Sequence, residues 1–536
     1  MKNEKVNKIV KIILYVAIVS FLLYAIGVKF YIVLSEGVPR EYREMNSVQF
    51  ANEFANGNNL YDDELNSETP FATNMYGVVM PLVISPFIKC LDMFTALSVL
   101  QISQLVTLIF EVVGIVMFYY LILKKTRNHI LSAFASDMLF VCYWRYSPLG
   151  GAFPDSYGLT LTILIMYLIV RNEIKARYYV MLYVLITIIL FYTKQYFAFI
   201  ACGVFVYLWI NLSFKKAFLY FISGISLGAV SILLVNRKFD YYFTETLPMA
   251  QGQTSTEGWD YSLIQIVQLS KGPFLLVSIM TVILIITIIA ICVVKKEVNL
   301  GSVFVWNNEQ KSVSYEMVQI FCIFPFVAYF AQNGGTSLTY YLQMWYPYVI
   351  VCGVITISIV IKYLKEYKKQ VWIVGIYIFI GISIVSTKSW IITPRMSLEM
   401  RDNWNMVYAI LDEYSEQGDI LVSPHLSAYC IENDIYTSDY GQAQFNGLVN
   451  YLSWDNSKIW KKLFPETGRI IECSWNHHDI MKQNVEEGKY SCIAITDYYE
   501  YYSVLIELMD KKYVLLDEFP LQTGGQVWNT LIYIAK

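Results

Sequence analysis

Closely spaced charges follow the first apolar run of the chain, in the segment VPREYREMNS. Glu41 and Glu44 stand three residues apart, so on a helix both carboxylates share one face. A carboxylate at the mouth of a membrane cavity can accept the proton of an attacking hydroxyl, which makes both acids candidate catalytic residues. Alternatively, both acids pair with Arg40 and Arg43 on an exposed helix, and the sequence leaves the two interpretations open.

A single acid and a single base occupy two later polar turns. Asp155, in SPLGGAFPDSYGL, opens an apolar run. Asp is a common helix N-cap, but an acid at membrane depth is costly and often functional, so we expect a catalytic role. Lys194 and Gln195 lie in the turn FYTKQYF. Lys194 either reaches the interface as a snorkelling side chain or binds a phosphate as a point charge.

Two further segments carry binding groups. The segment AQNGGTSLTYYLQMWYP combines amides and hydroxyls with aromatic rings, and Tyr340 and Gln343 are candidates for contacts with a sugar. For any single ring, an ordinary aromatic belt at the bilayer interface is the stronger explanation. Arg237 and Lys238 form a basic pair after another apolar run. We expect them to meet an anionic headgroup, with a substrate phosphate as the alternative.

The overall composition is that of a polytopic membrane protein. Of 536 residues, 56% are hydrophobic and only 15% are charged, which is too apolar for a soluble protein of this size. The net charge of −3 gives no indication of nucleic-acid binding. The cysteines form no CxxC or CxxH pair, so no zinc site is visible, and the three in the polar tail allow at most one disulfide.

Eleven apolar runs are candidates for membrane-spanning helices, which need about 20 mostly apolar residues. They lie at approximately 9–34, 98–123, 130–147, 153–170, 178–194, 196–213, 217–235, 273–294, 316–332, 341–362 and 371–389. The run at 76–94 contains two prolines and ends in charges, so we expect it to lie in the interface. Basic residues follow every even-numbered run, which predicts a cytoplasmic N-terminus.

These patterns predict an α-helical polytopic membrane protein with two parts. The transmembrane domain covers 1–389 and has a long first outer loop at about 35–97. The tail, 390–536, regains charged residues and alternates helical segments with β-like runs such as YSCIAITD and WNTLIYIAK, which indicates a small extracytoplasmic α/β domain. For most of its residues we expect a role as a lid or a stabilising domain.

Several short motifs follow one another in a fixed order. After the acid of the first outer loop come FANGNNLY, YGVVMPLVISPF, PDSYGL and TKQ. This order resembles the GT-C superfamily of membrane glycosyltransferases, in particular bacterial RgtA/B/C/D-like and mannosyltransferase-like members. The residues that match a G-N-P-Y-like step and a Y-G-x-x-x-P-L step are Gly57, Asn59 and Tyr61, with Leu60 in place of proline, and Tyr76, Gly77, Pro81 and Leu82. The resemblance covers roughly residues 9–350.

The resemblance implies a polyprenyl-phosphate sugar donor, an inverting transfer and an active site at the outer membrane face. Glu44 lies nearest the position of the family's acid, and we predict that it is the base, supported by Glu41. Some relatives hold a divalent cation with carboxylates. In this chain Glu41 and Asp155 would offer oxygen ligands to Mg or Mn, and metal use stays open.

A lipid-linked donor cannot leave the bilayer, so a cation must meet its phosphate at headgroup level. We predict that Lys194, with Gln195, binds this phosphate. Arg237 and Lys238 are the next candidates. Tyr76 joins the candidate contacts for sugar or acceptor.

Other functions remain as alternatives. A transporter or flippase for lipid-linked saccharides would place ionisable residues within its spans and usually has paired, interrupted helices. Here the charges collect at the ends of the apolar runs, and Glu111 is the main exception. A polymerase or ligase acting on lipid-linked sugars is a further alternative, although such enzymes usually carry a large outer loop late in the chain. A non-catalytic envelope scaffold would not need acids and a base on one side.

Overall fold

The structure is a computed structural model. It describes residues 2–40, 44–59, 61, 76–91, 93–146, 151–171, 177–249, 274–295, 314–331, 344–391, 396–437, 458–496, 500–509, 511–523 and 526–536. Three of the predicted site residues, Glu41, Tyr340 and Gln343, lie outside these ranges, so their roles stay predictions.

In the first part of the chain, every regular element among the described residues is a helix. The helices are α1 (Lys2–Glu36), α2 (Glu44–Asn56), α3 (Val79–Leu91), α4 (Val99–Thr126), α5 (His129–Tyr146), α6 (Pro154–Arg171), α7 (Arg177–Thr193), a 3₁₀ turn (Gln195–Phe199), α8 (Ile200–Asn211), α9 (Phe214–Lys238), α10 (Tyr242–Met249), α11 (Leu275–Lys295), α12 (Tyr315–Ala331), α13 (Tyr346–Glu366) and α14 (Gln370–Ile391). Where it is described, each of the eleven predicted apolar runs overlaps one of these helices, and the run at 196–213 covers both the 3₁₀ turn and α8. Among the described residues five helices, α1, α4, α9, α13 and α14, are long and apolar enough to cross a membrane, and seven more apolar helices are shorter. The number of crossings therefore stays a prediction.

Two helices show how the bundle is arranged. In α5 every residue from 130 to 143 is buried, as expected of a helix enclosed on all sides. In α9, by contrast, only 6% of the residues in its most apolar stretch are buried, so this helix lies at the edge of the bundle. Helix α3 has 13 residues, fewer than the about 20 that a spanning helix needs, but several predicted spans are also short, so its place in the interface stays a prediction.

Local signals define the end of the bundle at which α4 begins. A capping box joins Ser98 and Gln101, each side chain bonding the other residue's backbone N–H. The amide of Gln101 also donates to the carbonyl oxygens of Val33 and Leu34, at 3.2 and 3.0 Å. The start of α4 is thereby fixed to the last turns of α1. We call this end of the bundle, which also contains the start of α6 and the end of α7, the site end.

The tail forms the predicted α/β domain. Its elements are α15 (Leu398–Ser415), β1 (Ile420–Val422), α16 (Ser427–Glu432), α17 (Lys458–Leu463), α18 (Glu466–Glu487), β2 (Cys492–Thr496), α19 (Glu500–Met509), β3 (Tyr513–Thr523) and β4 (Gln526–Ala535). The four strands form one sheet in the order β1-β2-β4-β3. Strands β1 and β2 are parallel, and the β2–β4 and β3–β4 pairs are antiparallel.

The tail packs directly on the site end of the bundle. Val38, two residues after α1, is buried in the same apolar cluster as Trp404 of α15. The Glu432 carboxylate of α16 accepts a hydrogen bond of 2.8 Å from the N–H of Val99, the first residue of α4. The N–H of Met396 donates to Glu36 at 3.2 Å. The tail therefore lies against the first loop and the beginning of α4.

Candidate active site at the site end of the bundle

Asp155 and Lys194 form an ion pair at the site end. The Lys194 Nζ lies 3.1 Å from Asp155 Oδ1 and 2.9 Å from Oδ2. The Tyr196 hydroxyl donates a second hydrogen bond to Oδ1. The Asp155 side chain is 1% exposed, whereas the Lys194 side chain keeps 15% exposure. The carboxylate is thus enclosed and neutralised, and Lys194 is the more exposed member of the pair.

Close packing of α7 brings these residues together. Lys194 has an extended backbone, with φ −161° and ψ 124°, between the end of α7 and the 3₁₀ turn. A Cβ on Gly77 would overlap the carbonyl oxygen of Tyr192, so only glycine allows the chain before α3 to lie this close to the end of α7. This approach places Tyr76 beside Lys194, with the Nζ 5.0 Å from the ring centroid. The Nζ also lies 5.3 Å from the Tyr196 ring.

The motif GNNLY holds Tyr76 in place. Gly57 ends α2 with a positive φ of 89°. The Asn59 side chain accepts from the N–H of Tyr61 at 3.3 Å, as in an Asx turn. The Tyr61 hydroxyl then donates to the carbonyl oxygen of Tyr76 at 2.7 Å. The motif therefore has a structural role, and it acts on the residue that covers Lys194.

Glu44 lies at the start of α2 and is fully buried. Its Oε2 accepts a hydrogen bond of 2.7 Å from the backbone N–H of Arg40. Its Oε1 accepts one of 2.5 Å from the N–H of Ala152 and one of 3.0 Å from the Gln104 amide. Burial raises the pKa of the Glu44 carboxyl, while these three hydrogen bonds act in the opposite direction. A Cβ on Gly151 would lie 3.0 Å from Oε2, which shows how closely the glycine turn covers the carboxylate.

The alternative of an exposed helix with paired charges is wrong for Glu44. The Arg40 guanidinium binds Glu36 at 2.6 Å and the carbonyl oxygen of Ile32 at 3.0 Å. The hydrogen bond from Arg40 to Glu44 comes from the backbone N–H, while the guanidinium acts on Glu44 only through its charge. Glu44 is buried because Gln104 and Ala152, which are distant in sequence, enclose its carboxylate in the folded chain. Arg43 lies outside the described residues.

A buried charge pair that the sequence analysis did not assign lies next to Asp155. Lys29 of α1 and Glu111 of α4 form an ion pair, with side-chain exposures of 1% and 0%. The Ser156 hydroxyl donates to the other Glu111 oxygen at 2.8 Å. The pair thereby connects α1, α4 and the first turn of α6. Glu111 stood out in the sequence as a charge within an apolar run, but nothing there identified its partner.

The remaining predicted residues lie around this centre. Gln195 begins the 3₁₀ turn, and its amide nitrogen is buried without a hydrogen-bond partner in the described part of the chain. Arg237 and Lys238 lie in the last turn of α9 and are exposed. Phe239, which follows them, packs in an aromatic cluster with Tyr61 and Tyr192.

The described residues do not fit a metal site at Asp155. Its two carboxylate oxygens accept from Lys194 and Tyr196, so a cation would have to displace the ammonium. Within the described ranges, no group of three or more His, Cys, Asp or Glu side chains is placed to hold a metal ion. Glu41, the other predicted ligand, lies outside these ranges.

The sequence matches no known family and no curated protein in the comparisons, but the fold matches solved structures. The crystal structure of ArnT from Cupriavidus metallidurans bound to undecaprenyl phosphate has a TM-score of 0.53 at 10% identity, covering 96% of this chain and 97% of that one. The apo crystal structure of the Archaeoglobus fulgidus oligosaccharyltransferase has a TM-score of 0.53 at 10% identity, covering 93% and 73%. Both belong to one superfamily, and a likeness at this identity concerns the fold. The chain therefore has the fold of the GT-C membrane glycosyltransferases, as its motifs predict.

Proposed function

We propose that this chain is an inverting glycosyltransferase that moves a sugar from a polyprenyl-phosphate donor to an envelope glycan, lipid or protein. The observation that carries the proposal is the Asp155–Lys194 pair under Tyr76 at the site end. The fold supports it, and one structural neighbour, ArnT, was crystallised with undecaprenyl phosphate, a lipid phosphate of the class proposed here. We assign the site end and the tail to the outer face, as the lysine pattern predicts.

Lys194 is the proposed ligand of the donor phosphate. Its side chain is 15% exposed, whereas that of its partner Asp155 is 1% exposed, so an incoming phosphate would meet the lysine first. Lysine binds phosphate as a point charge, and an ammonium can turn some of its N–H groups from one acceptor to another. The amide nitrogen of Gln195, which has no hydrogen-bond partner among the described residues, would be a second donor in the same turn. Tyr76, over the ammonium, would line the sugar position, and Tyr340 and Gln343 stay proposed contacts of sugar or acceptor.

Glu44 is the proposed base, with Glu41 in support. A base needs a pKa above that of an ordinary carboxyl, and the burial of Glu44 acts in that direction. Its three hydrogen bonds occupy three of about four acceptor positions on a carboxylate, which leaves one for a substrate hydroxyl. Asp155 is the alternative base, because it lies directly at the cation that would hold the leaving phosphate.

The reaction balances without a cofactor. The acceptor oxygen forms the new bond to the anomeric carbon, and its proton passes to the carboxylate. The bond between that carbon and the phosphate oxygen breaks, and the electron pair leaves with polyprenyl phosphate next to Lys194. Attack from the face opposite the leaving group inverts the configuration. A phosphate is a good leaving group, so the step needs no general acid.

A transfer assay tests the proposal. Purified full-length protein in nanodiscs is incubated with a panel of polyprenyl-phosphate sugars and a crude envelope acceptor fraction, and release of polyprenyl phosphate is measured. We expect acceptor-dependent release from at least one donor, and loss of release in Asp155→Asn. Movement of an intact lipid-linked sugar across the bilayer of proteoliposomes, with no release from any donor in nanodiscs, would instead support the flippase alternative.

A further inference from the structure

A short helix of the tail has an unusual surface. Helix α17 has the sequence KIWKKL, and its apolar residues Ile459 and Leu463 are 70% and 61% exposed. They stand four residues apart and therefore share one face of the helix. At 100° per residue, Lys461 falls opposite this face, and Lys458 and Lys462 fall along one side of it. A helix with an exposed apolar face and a lysine-rich face is typical of a segment that lies in a membrane interface.

The neighbours of α17 place it at the level of the bilayer surface. Phe464, next along the chain, packs against the aromatic cluster that contains Phe239 and Tyr242. Phe239 directly follows α9. Helix α9 has 25 residues and is therefore about 37 Å long, enough to cross the hydrocarbon core and reach the headgroups. The contact between Phe464 and this cluster thus holds α17 beside the membrane-surface end of α9.

Helix α9 lies at the edge of the bundle, so lipid surrounds its exposed side along its length. Its exposed residues include Phe221, Ile225, Leu233 and Leu234. Its last turn carries Arg237 and Lys238, which are exposed, and Lys458 and Lys462 of α17 are exposed as well. In the sequence KIWKKLFPE the only acid is Glu466. The end of α9 and the helix α17 therefore present an excess of positive charge where headgroups are expected.

We propose that α17 rests in the membrane interface beside α9 and binds the headgroups of anionic phospholipids. Ile459 and Leu463 enter the boundary of the acyl chains, and the lysines of α17, with Arg237 and Lys238, attract the lipid phosphates. The tail is then held to the bilayer as well as to the bundle. This inference goes beyond the proposed function, because it holds whether or not the chain transfers a sugar.

Depth-dependent quenching tests the contact. A fluorescent amino acid in place of Ile459 is introduced into the full chain, which is reconstituted in nanodiscs containing brominated phospholipid. The matched control is Val514, which is 47% exposed on β3. We expect at least twofold stronger quenching at position 459 than at position 514. Equal, weak quenching at both positions would overturn the proposal.

A lysine variant tests the charge. With the probe at position 459, Lys458→Gln/Lys461→Gln/Lys462→Gln is compared in phosphatidylglycerol and phosphatidylcholine nanodiscs, with Lys489→Gln/Lys511→Gln/Lys512→Gln as the matched control. We expect quenching to be stronger in phosphatidylglycerol for the wild type and the control, and the difference to vanish in the α17 variant. If quenching is equally strong in phosphatidylglycerol and phosphatidylcholine nanodiscs for all three proteins, headgroup binding is overturned. An unchanged lipid dependence with a raised KM for the donor would also overturn it, because the lysines would then bind the donor phosphate.

Discussion

Asp155 and Lys194 are 39 residues apart in sequence, and the Lys194 Nζ lies 2.9 Å from the Asp155 Oδ2. The pair joins the first turn of α6 to the residue that follows α7. Because Asp155 is enclosed and Lys194 is partly exposed, the two residues have separable roles. The cation can meet a ligand while the carboxylate holds the cation in place.

The first prediction concerns donor binding by Lys194. Lys194→Met keeps the apolar stem and removes the charge, so donor affinity should fall by about 1.5–3 kcal/mol if a charge-assisted bond is lost. The same change leaves Asp155 buried without its cation and should also destabilise the protein. The double variant Lys194→Met/Asp155→Asn removes the buried charge and is the matched control. We expect it to regain stability while donor affinity, measured by titration in nanodiscs, stays low.

A return of wild-type donor affinity in that double variant would contradict the assignment. The loss in Lys194→Met would then come from the buried charge of Asp155, and the phosphate site would move to Arg237 and Lys238. A separate titration of Arg237→Gln/Lys238→Gln would decide this.

The second prediction concerns Glu44 as the base. Glu44→Gln should lower kcat by about a hundred- to ten-thousandfold, because an amide cannot take the acceptor proton. The acid limb of the wild-type pH profile should lie above 4.5, the usual pKa of a glutamate, since burial raises the pKa of Glu44. Activity is therefore lost as the pH falls through this limb. Kinetic assays over pH 4–8 provide the measurement.

The glutamine variant needs a stability control. Both Glu44 oxygens accept from N–H groups, so an NH₂ in either position would face a donor, that of Arg40 or that of Ala152. Thermal unfolding of Glu44→Gln is compared with that of Gln104→Met, which loses one hydrogen bond to Glu44 and one to the carbonyl oxygen of Val38 but keeps the carboxylate. The comparison separates folding from chemistry. A folded Glu44→Gln with normal turnover, together with an inactive Asp155→Asn, would make Asp155 the base.

The third prediction concerns the close approach at Gly77. Gly77→Ala should push the chain before α3 away from Tyr192 and displace Tyr76 from Lys194, at a cost of about 1–3 kcal/mol in stability. Gly224→Ala in α9 is the matched control, because nothing lies within 4 Å of a Cβ there. We expect donor affinity to fall in Gly77→Ala and to stay unchanged in Gly224→Ala. Equal donor affinities in the two variants would show that Tyr76 does not shape the site.

The helices and the tail domain follow from patterns that are local in the sequence. Long apolar runs, the capping box at Ser98 and the alternation of strands with helices are all visible without tertiary information. The contacts of the site are not. Lys194 looks like a lone cation in FYTKQYF because its partner comes from the start of another helix, at Asp155.

Glu44 illustrates the same limit. Its neighbours in sequence, Arg40 and Arg43, suggest a surface ion pair, but the guanidinium of Arg40 turns to Glu36. The groups that enclose Glu44 belong to α4 and to the turn before α6. Sequence spacing can identify Glu44 as a candidate acid. Whether its carboxylate is exposed depends on tertiary packing.

The fourth prediction concerns the stability of the tail at acid pH. His425 is buried and bonds Thr530 at 3.1 Å, and burial lowers its pKa from 6.5 to about 3. Between pH 3 and pH 6.5, His425 binds a proton in the unfolded tail but not in the folded one. The contribution of neutral His425 to the free energy of unfolding is therefore fully present above pH 6.5 and declines as the pH falls toward 3. The protection factors of the amides in β2 and β4, which correct hydrogen exchange for its slower intrinsic rate at lower pH, should fall over this window in the wild type. In His425→Gln the dependence on pH should weaken, and an unchanged dependence would assign it to other groups.

The last prediction concerns the buried pair Lys29–Glu111. Lys29→Met or Glu111→Gln alone should destabilise the protein by about 3–5 kcal/mol, because each leaves a buried charge without its counter-charge. Lys29→Met/Glu111→Gln removes both charges and keeps an acceptor oxygen for Ser156, so most of the stability should return. Thermal unfolding in nanodiscs measures the coupling between the two positions. If the double variant is as unstable as the sum of the single variants, the pair does not hold α1, α4 and α6 together. If it is stable but donor turnover is lost, the charges act on the neighbouring Asp155, and the pair belongs to the active site.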